Sequence, residues 1–363
     1  MKVAVYYKNS DVRIEERPKP EISDGEILVK MKASGICGTD VMEWYRIRKA
    51  PRVLGHEMAG EIVESKSDKY SVGERVFVSH HVPCNACKYC RAGNHTACET
   101  LHKGNYEPGG FSEFIRVPKI NVDRGTYRLP KNISYEEATM IEPLACVLRA
   151  QRIMGIKRGE TVLVMGCGVS GLLHIMAAKL KGAKVIATDI NEFRLKKAKE
   201  LGAEAINANE ERVCGILNHS PIVSGSKASS EQQRNEMSTS HPRTSDDEEL
   251  KISAEHIIMC TGAMPAFEKA FKYADKKGTI MLFAIPKENI VIPNADFWRN
   301  ELTLVSSYGA APRDLYEALK IIDTKRIDVA GLITERLSIE EIQKGFDIAS
   351  AAKESLKVVI VAD

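Results

Sequence analysis

No stretch of this 363-residue chain approaches the roughly 20 apolar residues that a membrane-spanning helix needs. The opening run, Met1 to Pro18, has neither a long apolar segment nor a small-residue cleavage site, so it does not read as a secretory signal. Net charge is nearly absent: 52 Lys and Arg against 49 Asp and Glu leave +3, with both signs interspersed. That gives no basic footprint for nucleic acid. Internal repeats are lacking too. These absences leave a soluble protein, expected in the cytoplasm, with no membrane or nucleic-acid partner. The length exceeds one ordinary domain, and 44% apolar residues suffice for a sizeable core, so two domains are expected.

Cysteine, by contrast, is plentiful and unevenly spread. Four of the nine follow the spacing Cys84-x2-Cys87-x2-Cys90-x7-Cys98. Two-residue gaps let successive thiolates converge on one ion, and the longer gap lets the fourth close a tetrahedron. Four soft ligands with no open position suit a structural zinc. Cys146, Cys167, Cys214 and Cys260 read as small buried hydrophobes, and His80, His81 and His95 as surface residues.

The first third carries short β-type runs at Val3–Tyr7, Glu26–Ala33, Ala59–Glu64, Arg75–Ser79 and Phe114–Val117, separated by turn residues. An irregular, barrel-like β module follows from that. Beyond about Glu160, apolar strands at Thr161–Met165, Lys184–Thr188, His256–Met259, Thr279–Ala284 and Leu302–Ser306 alternate with helical stretches such as Gly171–Lys181 and Glu192–Leu201. This alternation predicts a parallel sheet covered on both faces. The tail reads helix (Arg313–Ile322), helix (Ile339–Ala349), strand (Lys357–Val361). Residues 218–250 are too polar to offset their ordering entropy and are expected to form a disordered excursion.

Thr161–Met165 runs into Gly166-Cys167-Gly168-Val169-Ser170-Gly171, which opens a helix, and the next strand ends in Asp189. Strand, glycine turn, helix and acid together form a dinucleotide fingerprint. The first glycine turns the chain, the second admits the pyrophosphate and the third lets helix and strand pack closely. The candidate cofactor-binding residues are Gly166, Gly168, Val169, Ser170, Gly171, Asp189 and Arg194. Asp189 can accept both ribose hydroxyls and would repel a 2′-phosphate, which favours NAD over NADP; it could also cap the helix from Asn191 onward.

Three more groups stand out. Gly35-Ile36-Cys37-Gly38-Thr39-Asp40 sets a cysteine in a tight polar loop, Gly55-His56-Glu57 stands just before a strand, and Ile141-Glu142-Pro143-Leu144 places an acid in an apolar, helix-like stretch, where it could serve only as a cap. With the cysteine loop, VGERV at Val72–Val76, GGFSEF at Gly109–Phe114 and the glycine fingerprint, they resemble the zinc-dependent medium-chain alcohol dehydrogenases. The polyol (sorbitol-type) and threonine dehydrogenase branch is the most similar, over nearly the whole chain apart from 218–250.

The resemblance implies that Cys37 and His56 bind a catalytic zinc, that Glu57 sits beside the metal as an exchangeable ligand, and that Glu142 takes the third position, directly or through water. Thr39 matches the hydroxyl that begins the family's proton relay. The histidine many members carry next is replaced here by Asp40-Val41-Met42-Glu43-Trp44, which leaves water, Glu43 or cofactor hydroxyls as the exit. The implied fold is α/β: a GroES-like β-barrel catalytic domain (1–150 and 311–363) with a Rossmann doubly wound parallel-sheet domain (151–310) inserted. The expected reaction is hydride transfer between a secondary alcohol, such as a polyol or sugar alcohol, and NAD; L-threonine 3-dehydrogenase activity and a non-catalytic NAD-binding regulator are the alternatives. The edge-strand candidate Leu302–Ser306 and the family analogy suggest a homodimer or homotetramer. Trp44, Phe297 and Trp298 read as core rather than pocket, and Lys103 and Arg116 as solvated rather than substrate-facing.

Overall fold

The computed structural model describes residues 1–103, 106–209 and 252–362; the polar stretch 218–250 and Cys214 lie outside the described residues. The strands of the first third are β1 (Lys2–Lys8), β2 (Asp11–Glu16), β3 (Ile27–Gly35), β4 (Arg52–Val53), β5 (Glu57–Ser65), β6 (Arg75–Ser79), β7 (Phe114–Val117) and β8 (Thr126–Arg128). Then follow β9 (Thr161–Met165), β10 (Lys184–Asp189), β11 (Glu204–Asn207), β12 (Ala254–Met259), β13 (Ala274–Leu282) and β14 (Thr303–Ser306). The tail supplies β15 (Ile333–Leu337) and β16 (Lys357–Val361).

A seven-stranded sheet runs β15-β16-β3-β5-β6-β8, with β7 also paired to β3, and a small sheet runs β2-β1-β4. The last strand of the chain therefore lies beside β3, near the start. Alternation sorts the side chains of the large sheet between two cores. Val29, Met31, Met58, Ile62, Val76 and Val78 fill one; Ala33, Ala59 and Phe77 join the helix Ile141–Met154 in the other. A register shift between Met31 and Ala33 moves β3 from the first core to the second. The helix thus lies across the second face, and its first turn carries Glu142.

The other sheet is parallel throughout, in the order β11-β10-β9-β12-β13-β14. With β9 as its first strand this is the doubly wound order 3-2-1-4-5-6, which binds ligands beyond the carboxyl ends of its two central strands. All five residues of β9 are buried, which is why it reads as one continuous apolar run. Among the described residues no helix is long and apolar enough to cross a membrane. Two core expectations fail: Trp298 is 80% exposed, and Trp44 is partly exposed on the short helix Glu43–Arg46, which has no buried residue, while Phe297 packs against the core of the parallel sheet.

Candidate active site

Cys37 and His56 stand 19 residues apart in sequence, and strand pairing closes that gap. Gly35 on β3 faces Glu57 on β5, so the loop after β3 and the turn before β5 end side by side. Gly55 adopts φ +90°, and a side chain there would meet the backbone of Gly110 and Phe111 at 2.8–2.9 Å. The two glycine motifs are therefore one contact, in which Gly110 N–H donates to Gly55 O at 3.0 Å and Phe111 N–H to Leu54 O at 3.1 Å. The result places ligand atoms of Cys37, His56 and Glu57 within 4.8 Å of one another.

The surroundings favour positive charge at that point. Buried Asp40 faces His56 Nδ1 at 3.5 Å and accepts from Cys37 N–H at 3.2 Å. Burial opposes an imidazolium, but Asp40 and Cys37 outweigh it and hold His56 well above its ordinary range. A divalent ion placed among these donors would take over the role of that proton. Thr39 donates to Cys37 Sγ from its hydroxyl at 3.3 Å and its N–H at 3.5 Å. The chemistry of this donor set suits zinc.

Glu142 is outside that group of three. It lies one residue into its helix, whose cap position is Met140, so it is not the cap. Burial raises its carboxyl, and its Oε1 accepts from Cys146 Sγ at 3.3 Å. Cys146, expected as an inert core residue, is thus a neighbour of the site. Lys357, at the start of β16, donates to Glu57 Oε2 at 2.5 Å and to Ile36 O at 3.2 Å, fully buried with its partner. Sequence reasoning missed it because a lone lysine in a KVVIV strand reads as solvent-facing. Glu43, a candidate for the proton path, turns away and accepts from Asn9 N–H at 2.8 Å. Arg46 instead occupies the Thr39 hydroxyl, donating to its Oγ1 at 2.9 Å, to Thr39 O at 2.9 Å and to Asp40 Oδ1 at 3.1 Å.

His80 and His81 correct the surface expectation. The His80 ring centroid lies 5.0 Å from that of His56 and 3.6 Å from that of His81, and His80 Nδ1 is buried without a partner among the described residues. Burial keeps both neutral, reinforced by neighbouring positive groups, and His81 falls to about 3. β6 ends at Ser79 and delivers them there. By contrast Arg116 pairs with Glu26 and Glu107, and Lys103 with Glu99, as solvated or structural ions.

The four clustered cysteines also converge, with Sγ atoms inside 4.8 Å of one another. Backbone N–H groups of Ala86 and Cys87 point at Cys84 Sγ, and that of Cys84 at Cys98 Sγ, at 3.3–3.4 Å. Burial opposes ionisation of Cys98, yet such N–H groups bring it down to about 5, while burial and neighbouring thiols push Cys90 up to about 12. The thiols share protons that a zinc ion would displace.

At the glycine fingerprint, Gly168 is the N-cap of the helix Val169–Leu180, so the N–H groups of Val169, Ser170 and Gly171 begin a helix with no intrahelical partner. Space over Gly168 is open except for Arg194 Nη1, 4.0 Å from where a Cβ would stand, and Arg194 Nε is buried with no partner among the described residues. A phosphate fits that cradle. Asp189, nearly buried, accepts from Cys167 N–H at 2.6 Å, Ile190 N–H at 2.7 Å and Asn191 N–H at 2.9 Å. The cap of the next helix is Asn191, which accepts from Arg194 N–H at 3.1 Å. At Gly171 a Cβ would sit 1.9 Å from Gly166 O. Gly171→Ala is expected to cost about 1–3 kcal/mol by overpacking and to weaken cofactor binding at least about tenfold; unchanged calorimetric affinity and melting temperature would show that the turn is slack.

A surface pocket of about 330 Å³, lined by Lys19, Pro20, Glu21, Ile22, Glu64 and Lys66, shares no residue with these groups and has no converging donor set.

Comparison with known proteins agrees with the two sheets. The alcohol dehydrogenase GroES-like domain model matches residues 23–128, and the zinc-binding dehydrogenase model matches 170–220 and 235–324. The chain is 31% identical over 358 residues to an L-threonine 3-dehydrogenase of Rhizobium johnstonii, covering 96% of this chain and 94% of that protein. It is 30% identical over 354 residues to a D-xylulose reductase A of Aspergillus clavatus, covering 94% and 91%. A zinc-binding dehydrogenase of Sinorhizobium meliloti, solved with NADP, superposes with a TM-score of 0.79 at 26% identity over 99% of each chain. With both family models matched and relatives of this identity and coverage, the chain belongs to the zinc-dependent medium-chain alcohol dehydrogenase family.

Proposed function

We propose that this chain oxidises a secondary alcohol of the polyol or sugar-alcohol class, or reduces the matching ketone, with NAD as hydride partner. The observation that carries the reading is the convergence of Cys37, His56 and Glu57 within 4.8 Å. These three would hold the catalytic zinc, Glu142 standing by to bind its water, and Cys84, Cys87, Cys90 and Cys98 a structural one. When bound, the zinc supplies Lewis acidity that lets an alcohol ionise near neutral pH, and the nicotinamide takes the hydride.

The chain's own residues set up that step. Asp40 fixes the His56 ring through Nδ1. Thr39 supports the Cys37 thiolate with two hydrogen bonds. Lys357 holds Glu57 Oε2 by a competing contact, which restrains the carboxylate while leaving it exchangeable. Arg46 cannot accept a proton, so the route past Thr39 runs through water or cofactor hydroxyls. Gly166, Gly168, Val169, Ser170, Gly171 and Arg194 cradle the pyrophosphate, and Asp189 takes the adenosine ribose. We assign 1–150 with 311–363 to one unit and 151–310 to the other, a division that the pairing of β16 with β3 supports, and the edge strand β14 suits a homodimer or homotetramer.

L-threonine oxidation is the second reading, favoured by the relatives of that name. A panel of polyols, L-threonine and simple secondary alcohols, assayed on zinc-loaded protein with NAD and with NADP, separates the two. Polyol turnover with at least tenfold preference for NAD is expected. Selective threonine turnover would favour the second reading, NADP preference would refute the role of Asp189, and cofactor binding without any turnover would leave a regulatory protein.

A further inference from the structure

The loop that joins the two strand ends of the metal group carries four cations in seven residues, Arg46-Ile47-Arg48-Lys49-Ala50-Pro51-Arg52, and no acid. Arg46 is 17% exposed; its Nε and Nη2 are used on Thr39 and Asp40, while Nη1 makes no hydrogen bond with a described residue. Arg52 is half-buried on β4, and its guanidinium has neither a hydrogen bond nor an ion pair with a described residue. It lies within electrostatic reach of Arg46, Asp40, Tyr45 and His80, where burial and then the like charge of Arg46 disfavour its ionised form. Exposed Arg48 and Lys49 add two more charges with no ion pair among the described residues.

Two guanidiniums within electrostatic reach of each other, one with no acceptor among the described residues, form an arrangement that costs free energy until an anion bridges them. Among the described residues the carboxylate that bears on Arg52 is Asp40, which is already shared by Arg46, His56 and the Cys37 N–H. Arg46 donates to Thr39, which itself donates to Cys37 Sγ, so the Arg46 guanidinium lies beside the metal group.

Resting on the polyol reading above, we propose that Arg46 and Arg52 bind a terminal anionic group of the substrate, a phosphate monoester or carboxylate carried by the polyol. Planar, forked donors suit either group. Arg52 is then a specificity residue, and Arg48 and Lys49 add a salt-sensitive attraction at the mouth.

The test reads binding and turnover separately. On zinc-loaded protein saturated with NADH, calorimetry with inorganic phosphate, D-sorbitol 6-phosphate, D-gluconate and D-sorbitol is expected to rank at least one anionic polyol above sorbitol by about 10- to 100-fold, the range of charged hydrogen bonds. Arg52→Gln should bring that ratio close to one, and Arg52→Lys should restore part of it. In turnover, kcat/KM for the anionic probe should fall steeply with added salt while that for sorbitol does not. No binding of phosphate or of either anionic polyol, or an unchanged ratio in Arg52→Gln, overturns the proposal. So does displacement of phosphate by NADH, which would assign both arginines to the cofactor. Arg52-dependent anion binding without turnover of any alcohol would sink the dehydrogenase reading and keep the anion site.

Discussion

Cys37→Ala and His56→Ala are each expected to lower kcat/KM by about 10³-fold or more, since Lewis-acid stabilisation of several kcal/mol is lost with the ion. Zinc should fall from two ions per chain to one, and NADH affinity should change less than about threefold. The fold has reason to survive. Asp40 keeps Arg46 and the residue-37 N–H as partners in either variant, so no buried carboxylate is orphaned. Gly55 and Gly110 hold the turn by backbone alone. Metal analysis, NADH titration and initial rates on the same preparation check all three statements. Activity within tenfold of wild type in either variant, with one zinc missing, would disprove a catalytic ion at this point.

Most strands that sequence reading found, β1, β3, β5, β6, β9, β10, β12, β13 and β16, sit inside sheets, where apolar runs must face protein on both sides. The edge strands β7 (FIRV) and β14 (TLVS) were found as well because their own residues are apolar enough. The five missed, β2 (DVRIEE), β4, β8, β11 (EAIN) and β15 (ITERL), all lie at sheet edges. Edge strands carry charge and need no apolar alternation, so they look like loops. The same logic divides the site. The glycine fingerprint and cysteine spacing are local, and local spacing shows in a string of letters. Lys357 meets Glu57 across 300 residues of chain, and the contact exists only because β16 pairs with β3. His80 and His81 follow a strand whose direction, not its composition, carries them to His56. Arg46 showed no signal beyond a basic run, which elsewhere in this chain marks solvated surface.

Cys90→Ala is expected to remove the other zinc and lower the melting temperature by about 4–20 °C, with kcat of the folded protein unchanged within a few-fold. The lobe has almost no other source of stability: its core is Cys90, Cys98 and Leu101, with Cys84 and Cys87 packed against them. One leucine cannot order a segment whose elements are α-helices of four and five residues and a three-residue 3-10 helix. The metal therefore acts as a cross-link, and losing one costs about 2–5 kcal/mol, which gives the shift above at about 2–4 °C per kcal/mol. The lobe meets the rest through Arg149, which donates to Thr96 and Ser307 at 2.8 Å, through Arg124, which donates to Pro83 O at 2.9 Å, and through the His102–Tyr308 ring contact, and none of these contacts involves Cys37, His56 or Glu57. Calorimetric melting of wild type and variant, each with its zinc content measured, decides the matter. An unchanged melting temperature with one zinc ion in wild type and variant alike would mean that the four thiols hold no ion, and that N–H groups aimed at sulfur suffice to keep this lobe folded.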